Sequence, residues 1–253
     1  PTSALTESYN GSNWTEVNDL NTGRYGAGGL GTATAAIAAG GNDGSNTTDS
    51  ETWNGTNWTE GNNINSVRYV LSGAGFSTAG IVAGGWGPGG HPGISAATEL
   101  YNGTNWTTVN SLNTARAYAA MGGTSTSSVF AGGSNPGPPG PQDLVETWNG
   151  TNWTETTNIS ESRYNIGGTG VSNSEALVFG GQPGGAATGK TEQWNGVAWT
   201  ELADLTTARV AMASSGNLTT VALAAGGEDP GSAALTATEE WSSSSNVIKT
   251  LTD

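Results

Sequence analysis

The sequence contains no cysteine and a single histidine, His91. Disulfides and thiolate metal sites are therefore excluded, and one imidazole cannot build a His-based metal cluster. Positive charge is also scarce: seven Lys and Arg stand against 21 Asp and Glu, for a formal net charge of −14. A surface this acidic repels phosphate backbones and anionic lipid, so neither nucleic acid nor a membrane surface is an expected partner. No run approaches the roughly 20 apolar residues of a spanning helix and no signal-peptide pattern is visible, so membrane insertion is not expected. Methionine occurs only at Met121 and Met212, which implies a processed product or a fragment of something longer. What the chain has in abundance is Gly (41 of 253 residues) and Trp (ten). That many Trp argue against disorder, because disordered segments are poor in aromatics.

The Trp and Gly fall in a tandem repeat. The segment Glu51-Thr-Trp53-Asn54-Gly55-Thr-Asn-Trp58 recurs around Glu7, Glu99, Glu146 and Glu192, each Glu standing seven residues before a Trp. Ten residues after that Trp comes an Arg, at Arg24, Arg68, Arg116, Arg163 and Arg209. A Gly pair follows 16 or 17 residues later, and the Trp-to-Trp periods are 44, 48, 47 and 46. A degenerate sixth copy, Glu239-Glu-Trp241, lacks the Asn-Gly turn.

Each unit reads as four short strands. Asn-Gly between aromatic-rich flanks predicts a hairpin with a two-residue type I′ turn, in which both residues take φ > 0. A run beginning at each Arg and one closing on each Gly pair supply the other two strands. Helix is disfavoured by the Gly, Asn and Thr content and by the lack of a 3.6-residue apolar stripe. Four strands in 40–50 residues, repeated in tandem, describe a propeller blade. The expected fold is an all-β, five-bladed β-propeller of four-stranded antiparallel blades, one domain over residues 1–253. Its units run roughly 21–64, 65–112, 113–159, 160–205 and 206–253.

Arg at a strand start, an apolar run closing on Gly-Gly, and a later Trp resemble the kelch repeat over nearly the whole chain. The low-charge Asn-Gly-Thr-Asn-Trp-Thr version is also similar to arrays in structural or surface proteins of marine phages and bacteria. That resemblance implies an extracellular or virion-surface location. Following the order of kelch propellers, strand a starts at Arg, b ends at Gly-Gly, c starts near Glu, and d carries the second Trp.

All five Arg occupy the repeat position, leaving only Lys190 and Lys249 as other cations. Two readings stay open for Arg24, Arg68, Arg116, Arg163 and Arg209. They form a repeated buried pair with the Glu of their own or a neighbouring blade, or they ring the channel mouth and hold an anion or acidic peptide. The nine repeat Trp are expected to pack between blades, with sugar stacking by a rim copy as the alternative. The Asn-x-Ser/Thr triplets, such as Asn54 and Asn57, read as hairpin chemistry rather than glycan acceptors.

Spacing from Glu through Trp to Arg never changes, whereas Gly-Gly to the next Glu varies from 10 to 14 residues. The variable b–c loops are where recognition is expected, since propellers carry it on loops over a rigid frame. Their candidate ligand-binding residues are Trp86, His91, Asn135, Asp143, Gln182, Lys190 and Asp229. Trp86, the one Trp outside the repeat, reads equally as an exposed platform or as a lid folded over its own blade. His91 reads first as a solvated spectator.

No cofactor is expected and no enzyme: copper-type and sialidase-type constellations are missing, and no carboxylate pair stands out. The expected function is a binding or display module reading carbohydrate or a surface receptor. The alternatives are an architectural spacer of a virion or envelope and, more remotely, a glycan-active enzyme. The domain is expected either as a monomer or as part of a larger assembly. Six Glu-aromatic halves face five Arg/Gly-Gly halves. The hairpin Thr6–Val17, within the N-terminal half-blade 1–20, is expected to complete the last blade with the Arg209–Gly227 strands. The tail is the competitor, and the surplus half could instead join a neighbouring chain.

Overall fold

A computed structural model describes residues 2–88, 93–136, 139–218, 220–242 and 247–251. Two compact units divide the chain, Pro1–Ala117 and Tyr118–Asp253. The first unit opens with a two-stranded antiparallel sheet, β1 (Thr6–Tyr9) and β2 (Trp14–Val17). Blade 1 follows as β3 (Gly28–Thr32), β4 (Ala35–Ala39), β5 (Ser50–Trp53) and β6 (Trp58–Glu60). Blade 2 is β7 (Ser72–Phe76), β8 (Ala79–Ala83), β9 (Thr98–Tyr101) and β10 (Trp106–Val109).

The second unit carries three blades. Blade 3 begins with β11 (Ala120–Thr124) and β12 (Ser127–Ala131). A separate small hairpin, β13 (Ser134–Pro136) and β14 (Pro139–Pro141), precedes its outer strands β15 (Val145–Trp148) and β16 (Trp153–Glu155). Blade 4 is β17 (Gly167–Ser172), β18 (Glu175–Phe179), β19 (Thr191–Trp194) and β20 (Trp199–Glu201). Blade 5 is β21 (Ala213–Leu218), β22 (Val221–Ala225), β23 (Thr238–Ser242) and β24 (Val247–Leu251). Every strand pairing is antiparallel, each blade follows chain order with only the β13–β14 hairpin inserted in blade 3, and the fold is a five-bladed β-propeller of four-stranded blades.

The inner strands are built of small residues because successive blades approach there. A Cβ on Gly73 of β7 would lie 2.7 Å from the carbonyl oxygen of Gly29 on β3. The second strands are the apolar ones, with Ile81, Val82 and Ala83 of β8 wholly buried. Leu30 and Ile37 of blade 1 share a core with Val82, Tyr101 and Trp106 of blade 2, so burial is achieved between blades. The outer hairpins of blades 1 to 4 each add a cross-strand aromatic pair, such as Trp53–Trp58 at 5.5 Å and Trp194–Trp199 at 5.4 Å between ring centroids, whereas in blade 5 Trp241 is paired with Ile248. Facing aromatics of this kind stabilise antiparallel pairs by roughly 0.2–1 kcal/mol.

Three sequence expectations are corrected. First, the hairpin turn holds one left-handed residue, Gly55 at φ +92°, and Asn54 is not left-handed, which excludes type I′. The Asn54 side chain does the work instead: its Oδ1 accepts the N–H of Thr56 and of Asn57, both at 2.9 Å. Second, the inner strands start four residues after each Arg, not at it. The residue two places after Arg is left-handed in every blade: Gly26, Val70, Tyr118, Asn165 and Ala211. That conformation breaks the strand, and a β-branched residue there is strained. Val70→Asn, which installs a side chain tolerant of φ > 0, is expected to stabilise by about 1 kcal/mol, read as a higher denaturant midpoint.

Third, the N-terminal hairpin does not complete the last blade. Strand β22 pairs with β23 from Val221↔Ser242 to Ala225↔Thr238, and β23 pairs with β24. The tail wins because it keeps the two residues that matter: Glu239, 1% exposed, and Trp241, 5% exposed. Strand β1 pairs with β2 alone among the described residues.

Candidate ligand-binding face

The frame beneath the variable loops is set by Arg and Glu. Arg68 Nη2 donates to Glu99 Oε1 at 2.8 Å, with both side chains fully buried. Arg24–Glu51 (2.8 Å), Arg163–Glu192 (2.5 Å) and Arg209–Glu239 (2.5 Å) repeat the arrangement. Arg116 and Glu146, at the same repeat positions, are likewise 0% exposed. Arg heads packed in this way do not point into solvent. Nη1 of Arg24, Arg68, Arg163 and Arg209 also donates to two carbonyls that bracket a b–c loop: Gly84 and Ala97 for Arg68, Gly180 and Lys190 for Arg163. Burial pushes the Arg68 and Arg163 guanidinium groups down from the ordinary arginine value, and their Glu partners offset this in part.

The carboxylate has a second task that the spacing did not reveal. Glu99 Oε2 accepts from the backbone N–H of Asn65 at 2.6 Å and from its side-chain Nδ2 at 2.8 Å, holding the turn before Arg68. Asn21 and Glu51 do the same in blade 1. The main chain then links blades. Gly41 N–H donates to the carbonyl of Arg68, and Gly85 N–H to that of Arg116, both at 2.9–3.0 Å.

In blades 1, 2, 4 and 5 the first residue of the b–c loop is fixed by pairing with the residue after Arg. Tyr25 bridges Asn42, Tyr69 bridges Trp86, Tyr164 bridges Gln182, and Val210 bridges Glu228. In the first unit this gathers aromatics. Tyr25 and Tyr69 meet edge to face at 5.8 Å, and Tyr69 meets Trp86 at 6.2 Å. Tyr25 is 44% exposed, whereas Tyr69 and Trp86 are half-buried. Trp86 thus packs back on its own blade while remaining part of an open aromatic face. Burial, and then the neighbouring Tyr25, push the Tyr69 hydroxyl up, so it stays a neutral donor. Beside these rings, Asn42 Nδ2 donates to Asn46 Oδ1 at 2.7 Å, and Asn46 Nδ2 donates to the Gly87 carbonyl at 3.2 Å.

The remaining sequence candidates belong to the second unit. Asn135 is half-buried in the β13–β14 hairpin, and its Oδ1 is buried without a hydrogen-bond partner. Asp143 is half-buried, and its carbonyl accepts the N–H of Ile159 at 3.1 Å. Gln182 Nε2 donates to the Gly185 carbonyl at 2.6 Å, within its own loop. Lys190 lies 3.5 Å from Glu161 in a solvent-exposed pair of small energetic weight. Asp229 Oδ1 accepts the N–H groups of Gly231 and Ala233, bracing its own turn. These residues lie on the loops of three blades, and most are engaged in holding those loops. His91 lies outside the described residues. No group of three or more His, Asp or Glu able to hold a metal ion occurs among the described residues.

Tyr25 and Tyr69 were missed in the sequence, although the Arg-Tyr dipeptide at 24–25, 68–69 and 163–164 was there to be seen. A second edge-to-face pair, Tyr118–Tyr164 at 6.2 Å, sits in the other unit.

No protein-family model matches this sequence, and no curated protein matches it. In fold, the chain is similar to a solved structure described as "Structure of YjhT". The TM-score is 0.77 and the identity 14%, with 100% of this chain and 98% of that chain covered. At that identity the likeness carries the architecture and nothing of the chemistry. The shared architecture is the β-propeller.

Proposed function

We propose that this propeller is a non-enzymatic binding and display module that recognises carbohydrate through the open aromatic face at Tyr25, Tyr69 and Trp86. The observation that carries the reading is the convergence of three rings with the Asn42 and Asn46 amides at the base of two adjacent loops. Sugars offer apolar C–H faces edged with hydroxyls, and such faces are matched by exposed rings beside a few oriented polar groups. The propeller supplies the rigid support on which loop recognition depends. Display at a cell or virion surface is the setting in which such a module works.

A glycan array followed by calorimetry on the strongest hit tests the proposal. Tyr25→Ala is expected to weaken binding about tenfold while leaving the fold intact, since the ring it removes is exposed. Trp86→Ala is expected to weaken it similarly. Absence of any glycan hit, or a hit indifferent to both substitutions, makes the propeller an architectural spacer instead.

A further inference from the structure

The junction that gathers rings between blades 1 and 2 has a counterpart between blades 3 and 4. Tyr164 holds the position of Tyr69, directly after its Arg, and bridges Gln182 as Tyr69 bridges Trp86. Both main-chain bonds of that bridge form: Tyr164 N–H donates to the Gln182 carbonyl at 3.2 Å, and Gln182 N–H to the Tyr164 carbonyl at 2.9 Å. The Gln182 side chain is fixed as well, since its Nε2 donates to the Gly185 carbonyl at 2.6 Å, which leaves Oε1 as an acceptor. The two b–c loops meet here, because a Cβ on Gly184 would lie 3.6 Å from the Pro141 ring of blade 3.

The second ring of this junction has a different origin. Blade 3 carries Ala117, 1% exposed, at the position where blade 1 carries Tyr25. The ring comes instead from the next residue, Tyr118, at φ +59°. A bulky side chain is an outlier in that region, and such outliers cluster at ligand sites. Packing does not demand it. Tyr118 and Tyr164 are each half-buried, whereas the packing rings of the same blades, Trp148 and Trp194, are at most 1% exposed. At a conformational cost, Tyr118 thus restores the edge-to-face pair that Tyr25 and Tyr69 make in the first unit, with centroids at 6.2 Å against 5.8 Å.

We infer that Tyr118, Tyr164 and Gln182 form a second carbohydrate site, so that one chain carries two. The inference rests on the carbohydrate reading of the first face. Two partly open rings match the C–H face of a sugar, and the fixed amide meets its hydroxyls. Gln182 stands where the first site has Trp86, so the second site has less apolar area and is the weaker.

The test titrates the strongest glycan from the array into isotopically labelled protein and reads two resonances, the Trp86 indole and the Gln182 side-chain amide. Both are expected to shift, Gln182 at the higher glycan concentration. Tyr118→Asn, which relieves the left-handed conformation, is expected to melt no lower than the parent. It is expected to weaken the Gln182 response about tenfold and to leave the Trp86 response unchanged. Tyr25→Ala is expected to do the reverse. A silent Gln182 beside a responding Trp86 overturns the inference and leaves the first site standing, as does a Gln182 response indifferent to Tyr118→Asn. Loss of both responses in Tyr118→Asn, with a lowered melting temperature, assigns the ring to the fold and also overturns it. No response at either residue in the parent overturns both readings.

Discussion

Glu99→Ala is expected to destabilise the protein by about 3–5 kcal/mol, a large part of the roughly 5–15 kcal/mol that a folded domain holds. The substitution strands the fully buried Arg68 charge and removes the acceptor for the Asn65 backbone N–H and side-chain amide. A buried pair is costly to break and of little net worth to make, because both ions lose their water. The lowered affinity of Arg68 for its proton, despite Glu99 beside it, expresses that balance. The double variant Arg68→Met/Glu99→Leu is therefore expected to lose less stability than Glu99→Ala alone. Urea denaturation of the three proteins measures both quantities. A loss below about 1 kcal/mol for Glu99→Ala would place this pair with surface ion pairs.

Gly40→Val is expected to cost about 3–4 kcal/mol for two separate reasons. Gly40 has φ +65°, which a β-branched residue adopts only under strain. A Cβ there would also stand 2.7 Å from the carbonyl oxygen of Arg68 on the next blade. That carbonyl accepts the Gly41 N–H, so it cannot retreat without breaking the link between blades. Gly29→Ala is the matched control: φ is ordinary and no atom lies within 4 Å of the added carbon. Thermal unfolding of the two variants is expected to differ by many degrees, with the control close to the parent.

The blade count and strand order could be read in the sequence because the repeat states them five times over. Glu, Trp, Arg and Gly-Gly each occupy a position where only one chemistry works: a buried acceptor, an interblade ring, a fork of donors, a left-handed close approach. The inner-strand starts could not be read, because the left-handed position is filled by Gly, Val, Tyr, Asn and Ala in turn. Tertiary hydrogen bonds, such as Val70 N–H to the Gly26 carbonyl at 2.6 Å, impose that conformation whatever the residue. Completion of blade 5 by the tail was hidden by loss of Asn-Gly, a local turn signal, although Glu239 and Trp241 kept the long-range one. At the candidate site, Trp86 stood out as the Trp beyond the repeat. Its partnership with Tyr69 depends on a backbone bridge between residues 17 apart, which no local pattern encodes.

Each arginine fork that grips two carbonyls also closes a loop at its base. Gly40 and Asp49 are drawn onto Arg24, and Gly226 and Ala237 onto Arg209. The ends of the b–c loops of blades 1, 2, 4 and 5 are thus pinned by the frame, so a longer insert adds only closure entropy, about 0.6 kcal/mol for each doubling. Natural variation can explore these four segments almost neutrally, and an engineer can graft foreign peptides between the same pins.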